Sequence, residues 1–129
     1  MKAIHKNLHL TLSTIAILVV GATYGLHPNT FLPLFFDFNV EGTDLNHVFR
    51  AMMGCYFALG IYWGYSVLFQ KYWRGATLSV IFFMGGLAAG RILSMIVDGI
   101  PSTAFTVGTI LELIFVVWGF LNLKFYAKE

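Results

Sequence analysis

Four apolar runs, separated by short polar or turn-forming segments, organise this chain. The first extends from about Leu8 to Leu26 and stops at His27-Pro28, because proline disfavours helix in the residue before it. The second begins polar at Asp44, turns strongly apolar and closes after Phe69 with Gln70-Lys71-Tyr72-Trp73-Arg74, a mixture of charge and aromatic rings suited to a bilayer interface. The third runs from about Gly75 to Val97 and ends at the turn sequence Asp98-Gly99-Ile100-Pro101. Ser102 or Thr103 can then cap a fourth, through about Leu123. A helix needs roughly 20 predominantly apolar residues to cross hydrocarbon about 30 Å thick. The pattern therefore predicts an all-α integral membrane protein, one domain over 1–129 with spans at 8–26, 44–69, 75–97 and 103–123. The connections around residues 70–74 and 98–102 are hairpin-short, so consecutive spans must pack antiparallel, as in an up-down four-helix bundle.

Composition agrees. At 58% hydrophobic and 11% charged, the chain is not an ordinary water-soluble domain. A net charge of +2, with basic residues scattered at the ends of apolar runs, argues against nucleic acid as a partner. Those basic residues do fix an orientation. Lys2, Lys6, Lys71, Arg74, Lys124 and Lys128 all fall on one side of the four spans, and the connections 27–43 and 98–102 carry no lysine or arginine. The positive-inside rule then puts both termini in the cytoplasm. Lys2 and Lys6 ahead of an apolar core, with Val20-Gly21-Ala22 as a small-residue cleavage site, also fit a secretory leader. The run is read as a span because keeping it completes the charge asymmetry.

The segment from Asn29 to Glu41 is too aromatic for a solvated linker and too short to cross. Phe31, Phe35, Phe36 and Phe38 read as an interfacial anchor, with a lid over a pocket as the alternative. Three glycine pairs at four-residue spacing, Gly21/Gly25, Gly60/Gly64 and Gly86/Gly90, let helices approach closely. Packing within the monomer is the bland explanation of each, and self-association or another membrane subunit the sharper one. Cys55, in an apolar run, reads as a small packed hydrophobe. His5 and His9 read as interfacial.

Charge in hydrocarbon is expensive, which singles out Asp44, Arg50, Arg91, Asp98 and Glu112. At 1.5 Å per residue Arg50 lies about 9 Å below Asp44, Arg91 about 10 Å below Asp98, and Glu112 about 14 Å from the same face. Glu112 is thus expected to meet Arg91 on the neighbouring helix, and Arg50 to join or face Asp98. Asp44 and His47 share one face of the second span, and Arg91, Ser94 and Asp98 one face of the third. Such a set either satisfies itself and pins the bundle, or lines a pocket where Arg50 and Arg91 grip an anionic head group with their planar forks. His47, Asp44 and Glu112 lack any metal-ligand spacing, Ser94 has no nearby base, and no phosphate-cradling glycine loop occurs. No metal, cofactor or catalytic residue is expected.

Two segments look like a known family: Gly42-Thr43-Asp44-Leu45 with His47, Phe49-Arg50-Ala51, Met53-Gly54 and Tyr56, and Gly86-Leu87-Ala88 with Gly90-Arg91, Leu93-Ser94, Asp98-Gly99 and Pro101. Tyr24-Gly25, Pro28, Leu32-Pro33, Asp37-Phe38 and Glu112-Leu113 add to the likeness. The chain resembles the bacterial four-helix membrane proteins catalogued as domain of unknown function 4345. The resemblance implies a multi-pass protein of a bacterial inner membrane, with Asp44, His47, Arg50, Arg91, Asp98 and Glu112 as its signature polar positions, and it implies no activity. The expected function is an accessory or scaffold protein whose polar outer-leaflet site holds a partner helix or an anionic amphiphile, a lipid or a quinone-like molecule. A proton-coupled carrier using Glu112 is the alternative, and a membrane-embedded enzyme using His47 a further one.

Overall fold

The computed structural model describes residues 1–128. It contains α1 (Lys2–Gly25), α2 (Pro28–Phe35), α3 (Thr43–Leu68), a short 3-10 turn (Gln70–Tyr72), α4 (Trp73–Asp98) and α5 (Thr103–Tyr126). Helices α1, α3, α4 and α5 are each long and apolar enough to span a membrane. Their backbone polar groups are bonded within each helix, the arrangement hydrocarbon demands. Hydroxyls follow the same rule: Thr11, Ser13, Thr14 and Thr23 on α1, and Ser66, Thr77 and Thr109 elsewhere, each donate to the carbonyl four residues back. Large apolar side chains such as Phe82, Ile96, Leu68 and Phe125 point outward, as lipid contact would require.

Two boundaries differ from the sequence expectation. Helix α1 begins at Lys2 rather than near Leu8, because the first polar residues continue the helix as amphipathic turns. Pro28 ends one helix and starts another: it occupies the first turn of α2, where its missing N–H costs nothing. The Ser102 hydroxyl makes no capping bond to α5, although Ser102 occupies the N-cap position. Gly42 before α3 and Gly99 after α4 hold φ of 86° and 97°, so both sharp entries need glycine.

Small residues set the closest approach. A Cβ on Gly21 would lie 2.9 Å from that of Tyr56, one on Gly60 would lie 2.7 Å from Leu18, and Gly25 sits directly against Met53. Ascending positions on α1 thus meet descending ones on α3. Gly119 on α5 similarly admits Ile81 at 2.7 Å and His9 at 3.2 Å. By contrast, nothing lies within 4 Å of where a Cβ would sit on Gly86 or Gly90. Two of the three glycine pairs therefore pack the monomer, and the third is open.

The end of the bundle carrying the 3-10 turn is tied by polar contacts. The Lys6 carbonyl accepts from Asn122 Nδ2 at 3.1 Å and from Trp73 Nε1 at 3.4 Å, while the Lys6 ammonium sits 4.6 Å over the Trp73 ring. Trp63, fully buried, donates from Nε1 to Ser79 Oγ at 2.8 Å and joins α3 to α4. His9 is also fully buried: Nε2–H donates to the Phe115 carbonyl at 2.9 Å, and the ring meets Trp118 edge-on at 5.3 Å. Its expected place at the interface is corrected, because the early start of α1 carries it two turns into the helix. His5 is exposed. Cys55 is exposed rather than packed, since it lies about 100° around α3 from the buried Tyr56.

A candidate buried polar site

The short α4–α5 turn makes residues that precede it on α4 level with residues that follow it on α5. Arg91 and Glu112 come together in this way: Arg91 Nε lies 3.1 Å from Glu112 Oε1. The angle at Nε is not that of a hydrogen bond, so the pair is a close charge contact with hydrogen-bonding capacity unspent. Glu112 is only 8% exposed. The Arg91 guanidinium also sits 5.1 Å over the Phe105 ring, which favours a cation.

Aromatic rings from the segment around α2 fold over this pair. Phe36 stacks on Phe105 at 4.2 Å and on Phe38 at 5.7 Å, and Phe38 in turn stacks on Phe49 at 6.0 Å. Leu32, fully buried, anchors α2 to the bundle. The two readings of the aromatic segment thus divide by residue: Phe36 is half-buried against the core, Phe38 is exposed but stacks on Phe36 at the edge of the roof, and Phe35 is 56% exposed. Below the roof, Tyr56 is buried edge-on against Tyr24 at 5.6 Å and Phe83 at 5.3 Å. Among the described residues its hydroxyl has no hydrogen-bond partner, nor has Glu112 Oε2.

Two spaces adjoin at these groups. A cavity of about 170 Å³ lies among the helices, walled by Tyr24, Phe36, Phe83, Phe115, Arg91 and Glu112, with Tyr56 also facing it. A wider cleft of about 590 Å³ runs between α3 and α4, bordered by Met52, Gly86, Gly90 and Ser94. Tyr24, Tyr56, Leu87 and Arg91 belong to both. A cation, a carboxylate and a phenol therefore sit where a small aromatic-walled chamber opens into a lateral cleft.

Of the residues singled out from the sequence, Arg91 and Glu112 meet as expected. Ser94 donates to Asp98 Oδ2 at 3.0 Å on the exposed face of α4, and only Ser94 borders the cleft. Asp44, His47 and Arg50 are exposed on α3, make no hydrogen bond or ion pair among the described residues, and line neither space. The expected meeting of Arg50 with Asp98, and the two-arginine clamp, are corrected accordingly. Depth fixed their level, but the rotation of α3 that buries Tyr56, Gly60 and Trp63 turns Arg50 away. Tyr56 was missing from the expected site. Its signal was available, because a tyrosine in an apolar span carries a hydroxyl that must find a partner.

A family model described as a domain of unknown function (DUF4345) matches residues 6–123. No curated protein and no solved structure gives a match.

Proposed function

The chain belongs to the DUF4345 family, and we propose that it is a small non-enzymatic membrane protein that binds an amphiphile at the Arg91–Glu112 pair. In this reading the four spans form an up-down bundle in a bacterial inner membrane, with both termini cytoplasmic. The reversed order of contacts between α1 and α3 and the one-sided lysines and arginines support that topology. The site then lies in the outer half of the bilayer.

One observation carries the binding role: Tyr56 Oη and Glu112 Oε2 are buried without hydrogen-bond partners beside a cavity. Buried polar groups are expensive to leave unpaired, more so in hydrocarbon, and these two line the same cavity. A head group that bonds to them would offset that cost while its apolar part lies among the rings. His47, exposed and outside both spaces, takes no part.

Native mass spectrometry of protein extracted with its own lipids tests the proposal. The wild type should carry an amphiphile adduct that an Arg91→Ala, Glu112→Ala double variant lacks. Identical adducts on both would remove the binding role.

A further inference from the structure

Resting on that amphiphile-binding reading, we infer the class of ligand: a neutral cyclic head whose hydroxyls both donate and accept hydrogen bonds, as in quinols, and whose apolar tail leaves between α3 and α4.

Charge excludes an anionic head. Glu112 lies 3.1 Å from Arg91 and already balances it, so an anion would meet a carboxylate as closely as a cation in a medium that screens poorly. No second arginine redresses the balance, since Arg50 lines neither space. Hydrogen-bonding capacity points the same way. As the charge partner of Arg91, the Glu112 carboxylate accepts and so calls for a donor on the ligand; Arg91 only donates and calls for an acceptor; the Tyr56 hydroxyl serves either.

Size and wall chemistry narrow the head to a ring. The chamber of about 170 Å³ is comparable with an engineered apolar cavity of about 150 Å³ that takes up benzene. Tyr24, Phe36, Phe83 and Phe115 offer ring faces and edges for stacking. The α3–α4 side offers the tail a route of matching character that joins the chamber to a wider cleft. Helices α3 and α4 touch through Tyr56 with Phe83 and Trp63 with Ser79, on the side toward their connection. Beyond those contacts the cleft of about 590 Å³ continues from the chamber, and the exposed Gly86 and Gly90 leave it unobstructed on the α4 side.

The test uses the full chain in phosphatidylcholine nanodiscs under anaerobic conditions, with protein-free discs as the blank and three probes: a decyl-substituted hydroquinone, the same hydroquinone without its tail, and decyl phosphate. Wild type should bind the decyl quinol at least about tenfold more tightly than decyl phosphate. Tyr56→Phe, which keeps the ring, should weaken the quinol by roughly tenfold. Glu112→Gln should invert the preference in favour of decyl phosphate by leaving Arg91 uncompensated. Gly90→Leu should weaken the decyl quinol while sparing the tailless one. If wild type prefers decyl phosphate, the neutral head is wrong and the amphiphile site stands. If no probe binds, both fall. Equal behaviour of tailed and tailless quinols in Gly90→Leu would overturn the α3–α4 exit.

Discussion

Arg91 and Glu112 face each other across the α4–α5 hairpin at 3.1 Å, yet the contact leaves Arg91 Nε and Glu112 Oε2 without hydrogen bonds. Removing one partner strands the other charge in a low-dielectric interior, whereas removing both strands none. Glu112→Ala should therefore destabilise the bundle by about 3 kcal/mol, and an Arg91→Met, Glu112→Leu double variant should be close to neutral or more stable. Thermal unfolding in one detergent measures both. A single variant that melts like the wild type would show that the pair contributes nothing to the fold.

The glycines divide into packed and open positions, and substitutions should divide with them. Gly21→Val forces a side chain into Tyr56 and Phe57, and overpacking of this kind costs about 1–3 kcal/mol. Gly86→Ala meets nothing and replaces a poor helix former with the best, so its melting temperature should hold or rise. Equal losses in the two variants would refute α1–α3 as the tight interface.

Heights were legible in the sequence and rotations were not. The four spans followed from apolar run length, and the Arg91–Glu112 contact from counting helical rise on both sides of one short turn. Arg50 shows the limit. Its depth relative to Asp98 is fixed by the same counting, but its azimuth depends on how Gly21, Gly25 and Gly60 seat α3 against α1, a relation between distant segments. The apolar pattern around α3 and α4 is nearly uniform, because in lipid both the packed and the outward faces are apolar, so it does not reveal which face turns inward. Helix α2 was hidden for a related reason: eight residues containing two prolines carry too little periodicity to distinguish a helix from an aromatic loop. His9 was misplaced by the boundary of α1, where polar residues look like a tail and instead extend the helix.

His9 ties α1 to α5 through a single side-chain hydrogen bond to the Phe115 carbonyl at 2.9 Å, inside a pocket that Gly119 keeps open. His9→Phe retains the aromatic volume and loses that bond, and should cost about 1 kcal/mol. Gly119→Val should cost more, because its side chain would enter the space of both Ile81 and His9. Melting temperatures rank the two. If His9→Phe proves the more damaging, the ring's polar contact outweighs the packing it sits in.

Orientation is the last inference that the charge pattern permits, and it rests on residues far from the site. Ile100 stands 79% exposed in the α4–α5 turn, while Lys128 is exposed beyond α5, at the opposite end of that helix. Positive-inside placement puts the first outside and the second in the cytoplasm. In a Cys55→Ser background, which removes the lone native thiol, Ile100→Cys should react with a membrane-impermeant maleimide in intact cells, and Lys128→Cys only after lysis. The same comparison bears on the ligand. With this orientation, the Arg91–Glu112 pair lies within reach of amphiphiles in the outer leaflet. Labelling of position 128 in intact cells, with position 100 protected, would invert the topology and move the site to the cytoplasmic leaflet.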